Sequence, residues 1–175
     1  MEFSTWELIR AAGLTSYLLL FLSVGAGLLL ANKVGNAKLN KHLHVVHQST
    51  GWFSFLFGFF HAFLLYIDHY QPFALIEIFL PFMAENNRLL NGVGTVSFYL
   101  ITLLFLTADL TKKLGSKVWK KVHGLMLPCF ILLSIHGIFL GTDTKEIWVV
   151  FLYTSSLAIV FCLLLIKMLH KKLKK

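Results

Sequence analysis

The chain has 175 residues, of which 57% are apolar and only 14% are charged, and its mean hydropathy is +0.75. A soluble domain averages about 45–50% apolar and about 25% charged residues, and the apolar excess here falls in long uninterrupted runs. We therefore expect one integral membrane domain over residues 1–175. The net charge of +8 does not indicate nucleic-acid binding, because the Lys residues cluster between the apolar runs.

Five apolar runs are long enough to cross the hydrocarbon core of a bilayer, which takes about 17–25 residues of helix. In chain order they cover residues 11–31, 45–67, 92–108, 122–140 and 147–166. A shorter run over 72–84 carries Pro72, Pro81 and Glu77, which favours an interfacial or re-entrant helix over a sixth span. The predicted fold is an all-α bundle of five transmembrane helices with this short helix attached.

The basic residues predict the orientation of the bundle. If the five helices alternate in direction, 13 of the 16 Lys and Arg residues lie on one side, in 32–41, 110–121 and the tail after 166. The opposite side carries Arg10, Arg88 and Lys145 with most of the acidic residues. By the positive-inside rule, we expect a multi-pass protein of the cell membrane with its amino terminus outside and its carboxyl terminus in the cytoplasm. The basic tail is also expected to attract anionic membrane lipid.

Four of the eight His residues fall within or at the ends of predicted spans, His47 and His61 in the second and His123 and His136 in the fourth. Ionisable side chains at such depth are costly and point to function by default. For a single intramembrane His, a neutral ring bonded to a hydroxyl or a backbone carbonyl is an equally good interpretation. The spacing within the two histidine pairs favours the functional interpretation.

His47 and His61 are 14 residues apart, which places them roughly 21 Å apart along a helix and within roughly 40° of the same direction. Three small residues stand between them on that face, Gly51, Ser54 and Gly58. This stripe leaves room for a flat, bulky group against the helix. Close packing against another helix is the competing interpretation, since small residues serve that purpose too.

His123 and His136 are 13 residues apart and would differ by roughly 140° in direction on a straight helix. Pro128 lies between them and predicts a kink that could turn both rings inward. Because the second and fourth spans run parallel, we expect His47 to be level with His123 near the inside and His61 with His136 near the outside. Neutral imidazoles that face each other across a bundle are suitable axial ligands for haem iron. Two such sites would provide a route for electrons.

This double spacing resembles the ferric reductase-like transmembrane domain. That family includes ferric reductases, NADPH oxidases and the haem subunit of bacterial methionine sulfoxide reductase systems. The resemblance covers residues 14–166 and maps the four iron ligands to His47, His61, His123 and His136. It implies two non-covalent b-type haems that carry electrons from a cytosolic donor to an extracytoplasmic acceptor.

The chain departs from this family in two ways. Family members commonly have six spans, whereas five are predicted here. Ferric reductases and NADPH oxidases also carry a cytosolic flavin and nicotinamide domain, and none is evident in this sequence. We therefore expect a separate cytosolic flavin reductase or a quinol as the electron donor. Ferric iron, oxygen and a redox protein remain open as acceptors.

Two alternative functions remain open at this point. The chain could be the haem-binding subunit of one specific extracytoplasmic enzyme, such as a methionine sulfoxide reductase system. A different class is a non-haem transporter whose His residues relay protons or bind a metal. Arg10 and Arg88, the only two Arg residues, are candidates for binding haem propionates on the outer side. Anchoring to lipid headgroups is an equally good interpretation of both.

Overall fold

The computed structural model describes residues 4–110, 113 and 115–173. In chain order, the described helices are α1 (Thr5–Ala31), α2 (Ala37–Ile67), α3 (Leu75–Phe79), α4 (Arg88–Asp109), α5 (Ser116–His123), α6 (Met126–Leu140) and α7 (Ile147–Leu173), with a 3-10 turn at Thr142–Lys145 before α7. Five segments are long and apolar enough to cross a membrane, namely α1, α2, α4, the α5–α6 stretch and α7. This confirms the expected all-α architecture with five candidate spans.

The first two helices begin well before the apolar runs that predicted them, because capping residues set their ends. The Ser4 side chain accepts a hydrogen bond from the Glu7 backbone N–H at 3.2 Å, and the Glu7 carboxylate accepts one from the Ser4 N–H at 2.9 Å. Asn36 caps α2 by accepting from the Leu39 N–H at 3.0 Å. Such caps satisfy backbone donors that a helix leaves unpaired at its first turn.

The fourth candidate span consists of two helices separated by turn residues at Gly124 and Leu125. Pro128 lies in the first turn of α6 and has no N–H to offer the carbonyl of Gly124, four residues earlier. The Leu127 N–H donates to that carbonyl instead, at 3.3 Å. The break therefore lies where a proline at position 128 would interrupt the helix.

α1 holds the bundle together, because it packs along α2 and also contacts α6 and α7, while α4 packs along α6. A buried polar cluster joins three of these helices: the Tyr17 hydroxyl lies 3.0 Å from Ser134 Oγ and 2.6 Å from Ser156 Oγ. The Tyr17 ring also stacks on Phe130 with centroids 5.4 Å apart. Among the described helices, α2 and α6 are not a closely packed pair.

The segment 72–84 returns beside α4 without crossing the bundle, and only its five residues Leu75–Phe79 are helical. The carbonyl of Ile78 accepts from Thr95 Oγ1 at 3.3 Å, and that of Phe79 accepts from the Tyr99 hydroxyl. These bonds attach the segment to the third and fourth turns of α4. The sequence predicts a short helix over residues 72–84, and the structure has a helix there of only five residues.

Candidate functional site

The four intramembrane histidines form two pairs at two levels of the bundle. The rings of His47 on α2 and His123 at the end of α5 have centroids 5.8 Å apart and planes at 79°. His61 on α2 and His136 on α6 line one cavity. The His47–His123 pair lies toward the Lys-rich end of the bundle, and the His61–His136 pair toward the opposite end.

Three of the four imidazoles are held by backbone carbonyls of neighbouring helices. His47 Nδ1 lies 2.8 Å from the Ser23 carbonyl oxygen, and His61 Nδ1 lies 2.9 Å from that of Ile9. His136 Nδ1 lies 2.8 Å from the carbonyl oxygen of Leu90. Because a carbonyl oxygen can only accept, Nδ1 carries the proton in each ring and Nε2 keeps its lone pair. Metal-binding histidines commonly have this arrangement, in which a carbonyl fixes the tautomer and the ring orientation.

A glycine stands beside each of these three rings. A Cβ atom added at Gly27 would lie 3.1 Å from His47 Nδ1, and one added at Gly13 would lie 3.2 Å from His61 Nδ1. At Gly94 it would lie 2.7 Å from Cε1 of His136. Glycine therefore permits the close approach of the imidazole in all three cases.

His123 is positioned differently from the other three. Its ring stacks on Trp119, one turn earlier on α5, with centroids 4.9 Å apart and planes at 20°. Within the described residues no hydrogen bond joins the His123 ring to another group. The carbonyl of Leu104 on α4 accepts instead from the Thr107 hydroxyl at 3.0 Å. Aromatic stacking and the adjacent helix break therefore orient this imidazole.

A cavity of about 610 Å³ opens between α1, α2, α4 and α6 around the His61–His136 pair. Its inner walls are largely apolar, with Leu20, Phe98 and Ile101 among them. Its lining also includes polar side chains, among them Gln71 and Asn91. A mostly apolar pocket of this size with a few polar groups is typical of cofactor sites.

The small residues between His47 and His61 are used mainly for helix packing. Ser54 is buried and its hydroxyl donates to the Ser16 carbonyl at 2.9 Å, while the Ser16 hydroxyl donates to the Ser54 carbonyl at 2.8 Å. A Cβ atom at Gly51 would lie 3.1 Å from Ser23 Oγ, and one at Gly58 would lie 3.3 Å from Ser16 Oγ. The stripe thus allows α1 to approach α2 closely, and Ser54 and Gly58 also line the cavity.

The two arginines occupy different surroundings. Arg10 lines the cavity and forms an ion pair with Asp143, whose side chain is 10% exposed. The Arg10 Nε is buried and has no hydrogen-bond partner among the described residues, so this cavity-lining guanidinium retains an unused donor. Arg88 is exposed at the first position of α4, where it can reach solvent or lipid headgroups.

Sequence reasoning missed the three glycines and the carbonyls beside them. Gly13 and Gly27 are 14 residues apart on α1, as His61 and His47 are on the antiparallel α2. The same spacing separates Ile9 from Ser23, the two residues that supply the carbonyls. This matched spacing in two consecutive apolar runs is the signal that could have identified them.

The separation of His47 and His123 suits two imidazoles bound to one metal ion, such as a haem iron. Metal–imidazole bonds are about 2 Å long, so two imidazoles on opposite sides of one ion have ring centres about 6 Å apart, close to the 5.8 Å between His47 and His123. Within residues 4–110, 113 and 115–173 no three His, Cys, Asp or Glu side chains gather as a metal site. A porphyrin needs only the two axial ligands that each pair offers.

No family model, curated protein or solved structure matches this chain.

Proposed function

We propose that this chain is a di-haem b cytochrome of the cell membrane that transfers electrons between a donor at its Lys-rich end and an acceptor at the opposite end. The observation that carries the proposal is the common state of His47, His61 and His136. Each donates its Nδ1 proton to a carbonyl of an adjacent helix and leaves Nε2 available. An imidazole in this state is a ready axial ligand.

In this proposal His47 and His123 hold one haem, and His61 and His136 hold the other. Bound haem supplies a reversible one-electron carrier whose potential depends on its axial ligands and their hydrogen bonds. The carbonyls of Ser23, Ile9 and Leu90 hold the Nδ1 protons of three of the rings and fix the orientation of those rings. The cavity walls around His61 and His136 are largely apolar, as a porphyrin ring requires.

The Lys-rich end is the side on which we place the donor. The described cations there include Lys38, Lys41, Lys117, Lys120 and Lys121. Such a surface attracts an acidic flavoprotein and accelerates its association. A quinol entering from the bilayer is the other candidate donor. Following the positive-inside rule, this end faces the cytoplasm, and ferric iron, oxygen or a redox protein takes the electrons on the outside.

The first experiment is purification of the full chain from haem-supplied cells. We expect a low-spin b-type spectrum and two haems per chain. His61→Ala or His136→Ala should remove one haem and leave the other. His44→Ala is the matched control, because His44 lies exposed on α2 one turn from His47 and its loss should leave both haems. A colourless wild-type protein would refute the proposal and favour a transporter.

The direction of electron transfer needs sealed vesicles of known orientation. A reduced flavoprotein supplied at the Lys-rich side should reduce the haems, and an impermeant acceptor on the other side should reoxidise them. Reduction only from the side that carries Arg10 and Arg88 would contradict the proposed direction.

A further inference from the structure

One geometric relationship occurs three times in the bundle. The carbonyl that accepts a histidine Nδ1–H belongs to the residue four positions before a glycine in the same helix. The three pairs are Ile9 with Gly13, Ser23 with Gly27 and Leu90 with Gly94.

The helix explains why glycine is needed at this offset. A helical Cα–Cβ bond tilts toward the amino terminus, so a side chain covers the turn that precedes it. The residue at i+4 therefore shields the carbonyl of residue i from a neighbouring helix. Without a Cβ, the second lone pair of that carbonyl is open to an imidazole, while the first still accepts the helical N–H.

We infer that Gly13, Gly27 and Gly94 are positioning residues for the haem-ligating imidazoles, an inference that rests on the proposed function. Each glycine admits one ring to its carbonyl and so sets the tautomer and the direction of Nε2. Gly27 serves the His47–His123 site, whereas Gly13 and Gly94 serve the His61–His136 site.

The fourth imidazole has no equivalent glycine. The position on α4 that lies 14 residues after Gly94 is Ala108, and the one 14 after Leu90 is Leu104. The Leu104 carbonyl accepts from Thr107. The His47–His123 site thus has one imidazole fixed by a carbonyl, and the His61–His136 site has two.

The test compares alanine variants of the full chain in detergent. Gly94→Ala should have the largest effect, because its Cβ would lie 2.7 Å from the His136 ring. We expect it to lose the haem of the His61–His136 site, or to shift that haem's midpoint potential and low-spin electron paramagnetic resonance signal. Gly13→Ala should shift the same haem less, and Gly27→Ala should shift only the other one.

Gly25→Ala is the matched control. Gly25 lies on α1 two residues before Gly27, and a Cβ atom there would meet nothing within 4 Å. The Gly25→Ala variant gains the same helix propensity from alanine as the other three variants, but its Cβ atom does not approach an imidazole. Both haems should keep their wild-type potentials and spectra in this variant.

The unaffected haem of each variant reports that the bundle has folded. If Gly94→Ala does not accumulate, Gly13→Ala tests the same site with a milder contact. Wild-type potentials and spectra in both Gly27→Ala and Gly13→Ala would overturn the inference, as would equal effects of Gly25→Ala and Gly27→Ala. A wild-type protein without haem would instead refute the proposed function itself, so the two failures are distinguishable.

Discussion

The guanidinium of Arg10 and the carboxylate of Asp143 form an ion pair that joins the beginning of α1 to the 3-10 turn before α7. Asp143 is largely buried, whereas the Arg10 side chain is 40% exposed. Loss of Arg10 would leave a buried carboxylate without its cation. The pair therefore connects the first span to the turn that precedes the last one, and both residues line the cavity.

We predict that Arg10→Gln lowers the free energy of unfolding by about 1–3 kcal/mol. This range lies between the free-energy contributions of exposed and of buried ion pairs, because solvent screens the exposed part of Arg10. Thermal unfolding in detergent measures the change, and Arg88→Gln is the control because Arg88 is exposed. Equal stability of the two variants would contradict the structural role of the pair. If Arg10 also binds a haem propionate, Arg10→Gln should shift the potential of the His61–His136 haem and Arg88→Gln should not.

The sequence was sufficient to predict the five spans, because hydropathy alone identifies segments that can lie in a bilayer. Helix ends were harder to predict, since they depend on caps such as Ser4 and Asn36 outside the apolar runs. Pro128 did predict an interruption, and its position at Gly124 follows from proline geometry.

The site was only partly predictable. Helical spacing identifies the four histidines as candidate ligands, but it does not predict which residues the small residues between His47 and His61 contact. Ser54 exchanges hydrogen bonds with Ser16. Predicting this contact requires knowing that α1 packs against α2. The glycines beside the imidazoles depend on the register between helices, which hydropathy does not encode.

Acid sensitivity is predicted at Asp68, which follows α2. Its carboxylate accepts from the Thr5 hydroxyl and from the Gln71 N–H at 2.9 Å. The Thr5 hydrogen bond is the main cause that holds the pKa of Asp68 below its ordinary value. Because the folded-state pKa is lowered, this contribution to stability is present above the unfolded pKa of about 3.9 and is lost as the pH falls through the folded pKa.

Thr5→Val should raise the pKa of Asp68 toward its ordinary value. Carboxyl carbon chemical shifts followed against pH in micelles measure this. Glu77 is an internal control, because backbone N–H groups of Glu85 and Ala74 lower its pKa without Thr5. An unchanged Asp68 titration would contradict the assignment of the hydrogen bond.

Because α1 packs closely on α2, the bundle should be sensitive to the size of the side chain at position 54. The residue is 1% exposed and exchanges hydrogen bonds with Ser16. Ser54→Leu should destabilise the bundle by about 1–3 kcal/mol through overpacking and lower haem content at both sites. Phe53→Leu is the control, because Phe53 neighbours Ser54 on α2 and is 55% exposed. Unfolding midpoints that coincide for the two variants would argue against close contact at Ser54.

Under the proposed function, Trp119 should determine how firmly the His47–His123 site holds its haem. The other three imidazoles bond to carbonyls, whereas His123 depends on its stack with Trp119. An aromatic pair contributes about 0.5–1.5 kcal/mol beyond its buried area, which corresponds to roughly a 2- to 13-fold change in an equilibrium constant.

We predict that Trp119→Leu weakens haem binding at the His47–His123 site by a factor in that range and leaves the His61–His136 site unchanged. Transfer of haem to a scavenging apoprotein, followed separately for the two spectral components, measures the loss from each site. Trp148→Leu is the matched control, since Trp148 is 57% exposed at the start of α7. If Trp119→Leu increased the rate of haem loss from both sites by the same factor, the prediction would be contradicted. The substitution would then lower the general stability of the bundle, because a local effect on His123 changes only one site.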